Sequence, residues 1–283
     1  MNEERAYAKV NLTLDVLGKR QDGYHDLSMV METVDLCDTL RFTHSGEDVC
    51  VTTNLSYLPT GQGNLAAAAV RAFARVTGVA LGGLAIHIEK RIPVCAGTAG
   101  GSSDAAAVLR YLNRQTGTAL SDEVLQSIAQ SVGSDVPYCV TGGTALAQGR
   151  GEVLTPLPPL PECFFVLCKP PFSISTPALF AELDRHKLSR HPDTKGVLAA
   201  LEAGNLAGVG RRLYNVFEDV LPPRQGRTVQ ELKNRLITAG ALGAVMTGTG
   251  STVYGLFADQ AAAQQAWEEL REGYEETFLC RNV

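Results

Sequence analysis

Near the start of the chain, apolar and polar positions alternate through KVNLTLDVL, break at the polar run Gly18–Gly23, and resume in an apolar stretch through MVMETVDL. A period of two predicts strands with one buried face, and the glycine-bounded polar run predicts a hairpin turn between them. The period then lengthens. GNLAAAAVRAFARVTG has apolar residues at helical spacing, with Asn64 as a candidate N-cap and Gly78 as a candidate C-terminal stop. LAIHIEKRI reads as a strand and SSDAAAVLRYLNRQTG as a helix. SDEVLQSIAQSVGSD reads as a second helix, opening at Ser121 and closing near Gly133. Strand character returns in GTALAQGRGEVLTPL and again in CFFVLCKPP, and several helical segments follow. GALGAVMTGTGSTVYGLF sets a glycine-rich turn between two apolar runs.

Mixing antiparallel-looking strands with helices predicts an α+β fold in two lobes. The proline cluster Pro156–Glu162 is the candidate linker, because proline continues neither regular element well and pre-orders a connection. The expected domains are therefore residues 1–155 and 156–283, with the last strand free to rejoin the first lobe. No internal repeat or low-complexity tract appears.

Composition narrows the function. At 283 residues, 45% of them hydrophobic, the chain can bury a sizeable core. Its 25 basic and 30 acidic residues leave a net charge of −5, which gives no general footprint for nucleic acid or an anionic membrane, so any anion must be held locally. No basic segment followed by an apolar one opens the sequence, and no apolar run reaches the roughly 20 residues that span a bilayer, so a cytoplasmic location is expected. Seven cysteines without zinc-type spacing read as thiols in a reducing compartment.

The densest chemical signal is PVCAGTAGGSSDAAAVLR, Pro93 to Arg110. A glycine-rich loop feeding a helix N-terminus presents backbone N–H groups and the positive end of the helix dipole, which suits phosphate. It is not a Walker A loop, since no Gly-Lys-Ser/Thr follows the glycines, nor is it a dinucleotide G-x-G-x-x-G. On these residues alone, a phosphate site and a merely tight turn both remain open.

PVCAGTAGGSSDAAA resembles the phosphate-loop signature of the GHMP kinases, and two further elements of that family occur in order, AKVNLTLDV near the start and MTGTGSTVYGLF near the end. The resemblance spans nearly the whole chain. It implies the two-lobed fold of that family, with mixed and antiparallel sheets and a phosphate loop before a helix, and an ATP-dependent phosphotransferase using Mg2+. AKVNLTLDVLGKRQDGYHDL, SDVPYCV and STPALF are similar to the branch that phosphorylates the 2-hydroxyl of 4-diphosphocytidyl-2-C-methyl-D-erythritol in non-mevalonate isoprenoid synthesis.

The resemblance assigns Asp135 as general base and Lys9 as its cationic partner near the reacting oxygens. Without it, Asp135 reads as a turn or cap residue and Lys9 as a lysine on the polar side of a strand. On the substrate side it implies Asn11, Tyr24, His25, Thr176 and Phe180, with Tyr24, His25 and Phe180 forming a cytosine clamp. For ATP it implies Asn64 and Lys90 at the adenosine. Around the phosphates it implies the loop Pro93, Val94, Cys95, Ala96, Gly97, Thr98, Ala99, Gly100 and Gly101 with the hydroxyls of Ser102 and Ser103. Metal ligands are not assigned.

Cys95, Ala96, Thr98 and Ala99 stand where the family is commonly denser in glycine, and Asp104 where an asparagine is frequent. Backbone donors survive alanine if φ stays negative; a carboxylate near phosphate is a like-charge liability unless it turns away. The turn at Gly248–Ser251 either packs on the phosphate loop, contacts substrate, or is simply a tight turn. Rival readings are a homoserine- or mevalonate-type kinase, a non-catalytic sensor of the same fold, and a dinucleotide oxidoreductase. The expected partners are ATP and a small cytidine diphosphate, not nucleic acid or membrane, and the expected assembly is a monomer or weak homodimer.

Overall fold

The computed structural model describes residues 2–283. The alternating start forms two long strands, β1 (Glu3–Lys19) and β2 (His25–His44), joined by a turn closed by Arg20 N–H donating to the Tyr24 carbonyl at 2.8 Å, with Gly23 at φ 85°. β3 (Cys50–Thr53), α1 (Leu65–Thr77), β4 (Leu84–Glu89), α2 (Gly100–Gln115), α3 (Asp122–Gln130) and α4 (Val136–Thr141) follow. Next come the hairpin β5 (Ala145–Gly149) and β6 (Val153–Pro156), then β7 (Phe164–Cys168), α5 (Thr176–Leu183), α6 (Thr194–Glu202), α7 (Leu206–Gly210) and β8 (Tyr214–Asn215). The chain ends with α8 (Pro223–Thr238), β9 (Gly243–Met246), β10 (Val253–Phe257), α9 (Gln260–Arg271) and β11 (Thr277–Arg281). This is the mixed α+β architecture that the alternating periods predict.

The chain forms two compact units. The first comprises the segment up to Ala8, Leu36–Val94 and Ala99–Gly142. Here β4 pairs antiparallel with the end of β2, Leu40 opposite Ile88, and parallel with β3. α1 begins as its sequence dictates: the Asn64 side chain accepts the Ala66 N–H, and Gly78 ends the helix at φ 72°. Its alanine-rich face lies on the equally alanine-rich α2, where small side chains let two helices approach closely. The shared core includes Phe42, Phe73, Ile86, Leu109 and Tyr111, with the Phe42 and Tyr111 rings stacked at 3.6 Å.

The second unit comprises Lys9–Asp35, Cys95–Thr98 and Gly143–Val283. The start of β2 pairs antiparallel with β5, and β1 pairs parallel with β8 at Thr13 and Leu14. A separate four-stranded sheet has the order β11-β7-β10-β9, antiparallel throughout, with α8 and α9 packed on it. β7, β9 and β10 read as continuous apolar runs because almost every residue in them is buried. No helix among the described residues is long and apolar enough to cross a membrane.

Candidate active site

In the first unit α2 begins with its N-terminus unblocked. Ala99 occupies the N-cap position in the left-handed region and offers no side-chain acceptor, and no acidic residue lies in the first turn. The first N–H groups of a helix have no intrahelical acceptor, so those at the start of α2 can be donated to an anion. Ser102 is half-buried, whereas Ser103 is buried and donates its hydroxyl to the Tyr7 carbonyl at 2.6 Å. The condition of negative φ fails at two of the four substituted positions: Cys95 has φ 53° and Ala99 φ 59°, so these two keep the backbone of glycine without its freedom, whereas Ala96 and Thr98 do not.

Asp104 is turned away and buried. Its Oδ2 accepts from Lys90 Nζ at 2.6 Å, and the same ammonium bonds Asp38. The other Asp38 oxygen accepts the backbone N–H groups of Arg91 and Ile92, the residues that lead into the loop. One lysine thus joins β2, the end of β4 and the first turns of α2. Two carboxylates share one cation in a dry environment; burial outweighs the attraction of Lys90 and pushes the Asp104 carboxyl up to about 7. Asn64 spends its side chain on capping α1 and on the Pro59 carbonyl, at 2.9 Å each. Asp135 holds the N-cap position of α4, yet its side chain makes no capping hydrogen bond there, so capping does not account for it.

In the second unit, Gly97 meets the turn between β9 and β10. The Thr247 hydroxyl lies 3.3 Å from the Gly97 carbonyl, and Thr252 N–H donates to Ala96 O at 3.2 Å. The approach is too close for any side chain, since a Cβ on Gly97 would lie 2.1 Å from the Thr247 carbonyl. The turn at Gly248 therefore packs against this part of the loop. Asn11 is its other anchor: Oδ1 accepts from Lys9 Nζ at 2.7 Å and from Gly248 N–H at 3.0 Å, and the Tyr254 hydroxyl donates to the Asn11 carbonyl. Lys9 is only 3% exposed, which removes the solvent-facing reading.

Tyr24, His25 and Phe180 also belong to this unit. The His25 ring stacks on Phe180 at 4.7 Å, and Phe180 meets Phe217 edge-on. Tyr24 is half exposed and carries the Arg150 guanidinium 3.6 Å above its ring. Thr176, at the start of α5, hydrogen-bonds Thr249 at 2.8 Å.

Sequence reasoning missed Asp38, Arg150, Asp184, Asn215 and Thr247. Asn215 sits in an apolar context, and its amide donates to the carbonyls of both Met246 and Gly248, at 2.7 Å each. An amide in such a context was the signal available for it.

Models of the GHMP kinases N terminal domain and of the GHMP kinases C terminal domain match residues 64–143 and 197–276. The chain is 42% identical, over 98% of its own length and 96% of the relative's, to a 4-diphosphocytidyl-2-C-methyl-D-erythritol kinase of Lachnoclostridium phytofermentans. The chain belongs to the GHMP kinases. As a GHMP kinase it superposes on a crystal structure of 4-(cytidine 5'-diphospho)-2C-methyl-D-erythritol kinase with a TM-score of 0.82 and 32% identity, covering 99% of this chain and 98% of that one. A homoserine kinase from Cytophaga hutchinsonii shares the fold at a TM-score of 0.74 and 17% identity, covering 100% and 95%. That second likeness speaks for the GHMP kinase fold alone.

Proposed function

We propose that this GHMP kinase transfers the γ-phosphoryl group of ATP to the 2-hydroxyl of 4-diphosphocytidyl-2-C-methyl-D-erythritol. The observation that carries the reading is full-length similarity at 42% identity to a kinase named for that substrate. The side chains fit it: His25 stacked on Phe180 beside Tyr24 offers an aromatic surface for a pyrimidine base, which kinases of small base-free alcohols do not need.

Asp135 accepts the proton of the attacking hydroxyl as the phosphoryl group leaves ADP, and Lys9 supplies positive charge at the reacting oxygens. Asn11 holds the Lys9 ammonium in place. The α2 N-terminus and the loop Pro93–Ser103 cradle the phosphates, while Lys90 and Asn64, whose side chains are spent on Asp38 and Asp104 and on the α1 cap, shape the adenosine side without bonding the nucleotide themselves. Among the described residues no cluster of three His, Cys, Asp or Glu side chains could hold a metal. Mg2+ would arrive with the nucleotide, held largely by phosphate oxygens and water, and would neutralise charge on the transferred group. Nothing in the matched motifs is an activated nucleophile, so transfer is direct and in line.

ADP release with Mg-ATP and the cytidylyl substrate, run beside homoserine and mevalonate, tests the reading. Only the cytidylyl alcohol should turn over, and Asp135→Asn should abolish turnover while leaving binding of both substrates. Turnover of homoserine or mevalonate instead would overturn the assignment.

A further inference from the structure

The base-reading histidine is held from behind. Asp184 follows Phe180 by four residues, so the two side chains leave the end of α5 on the same face. Phe180 stacks on the His25 ring, and Asp184 Oδ1 lies 2.7 Å from His25 Nε2. The second carboxylate oxygen of Asp184 takes the Lys19 ammonium at 2.5 Å. Lys19 and His25 flank the β1–β2 turn, so a single carboxylate fastens both ends of that turn to α5. Only 9% of the His25 side chain is exposed. Its other nitrogen, Nδ1, makes no hydrogen bond to any described residue.

Lys19, and after it His25, hold the Asp184 carboxyl below its usual range. An ionised carboxylate can only accept, so the nitrogen facing it must carry the proton. A neutral imidazole has one N–H, and fixing it on Nε2 leaves a lone pair on Nδ1.

We propose that Asp184 is a positioning residue for base selection: it fixes His25 in the Nε2–H tautomer, so that Nδ1 accepts the 4-amino group of cytosine and faces the 4-oxo group of uracil as acceptor against acceptor. This rests on the cytidylyl substrate proposed above. The assignment gives His25 a chemical reason to prefer one pyrimidine, which stacking cannot supply, since any base presents a π-face.

Two measurements on the full-length protein test it. Long-range 1H–15N correlation spectra of the five histidine rings, with His25→Gln used to assign the His25 signals, report the tautomer without any turnover. Wild type should show the Nε2–H pattern, and Asp184→Ala should lose it. Steady-state kinetics with the cytidylyl substrate and its uridylyl analogue then report selection. Asp184→Ala should raise KM for the cytidylyl substrate and lower the cytidine-over-uridine ratio of kcat/KM, each by about tenfold, the worth of one hydrogen bond. KM for ATP and kcat should be unchanged, and Asp184→Glu should restore part of the ratio.

An Nδ1–H tautomer in wild type, or an unchanged ratio in a folded Asp184→Ala, overturns the proposal. If wild type turns over neither nucleotide, the substrate reading fails, and the spectrum alone then decides whether Asp184 sets the tautomer.

Discussion

Glu32 lies on β2 at 1% exposure, and its carboxylate accepts the Thr144 hydroxyl at 2.6 Å. Thr144 in turn accepts the Leu160 N–H at 3.2 Å, so the carboxylate ends a short chain of hydrogen bonds. Burial raises its pKa from 4.5 to about 7, against smaller opposing hydrogen bonds from Thr144 and the Thr33 backbone. The folded state therefore keeps a proton that the unfolded state has lost over that interval. Where the native state binds more protons than the unfolded state, stability falls as pH rises. The contribution is whole below pH 4.5 and is lost on passing pH 7. At about 1.4 kcal/mol per pH unit, a span of about 2.5 units amounts to about 3 kcal/mol.

Glu32→Gln isolates that quantity. Glutamine copies the protonated acid, with one oxygen to accept from Thr144 and one donor group, and it cannot ionise. Urea unfolding of both proteins from pH 4 to pH 8, followed by circular dichroism, cancels every other titration in the difference. The variant should match wild type near pH 4 and exceed it by about 3 kcal/mol at pH 8, with the gain accumulating between pH 4.5 and 7. A difference that stays flat across this range would refute the reasoning.

Other consequences follow from the loop and its supports. Gly97→Ala drives a Cβ into the Thr247 carbonyl at φ 79°, so it should cost several kcal/mol and most of the activity; Gly101→Ala, whose Cβ meets only Leu65 at 3.5 Å, should leave the thermal midpoint within a degree or two. Ala99→Gly should stabilise by about 0.5 to 1 kcal/mol in urea unfolding, by relieving a left-handed alanine; a loss of stability would show that φ 59° carries no strain. Asp104→Asn should leave Lys90 paired with Asp38 and raise stability at pH 8 but not at pH 4, because burial raises the Asp104 pKa and its ionisation opposes folding; equal stability at both pH values would contradict this. Arg150→Ala, which strips the cation from one face of Tyr24, should raise KM for the cytidylyl substrate while leaving KM for ATP alone.

How much of this was legible in the sequence depended on range. α1 could be read because its determinants are local: Asn64 caps, Gly78 stops, and the apolar spacing between them is set by the 3.6-residue turn. The turn at Gly23 and the buried runs β7 and β10 are legible for the same reason. Asp104 was visible, but whether it faces phosphate or turns away was left open, since that depends on Lys90, 14 residues earlier, and on Asp38, 52 residues before Lys90. Loop position alone marks it as a liability toward phosphate; the ammonium it bonds makes it a strut. Cys95 and Ala99 illustrate the converse. Their residue types argue for negative φ, yet both stand at positive φ, on either side of Gly97, which contacts Thr247 from a turn 150 residues away. Asp184 shares its face of α5 with Phe180, a spacing plain in the sequence, but nothing local says that His25, 159 residues earlier, stands opposite. The side chains proposed to touch the substrate lie in motifs, whereas those that orient them are chosen by the fold and carry no motif. On the proposed reading, base selection turns on a carboxylate that lies outside every motif and is found only through its contact with His25.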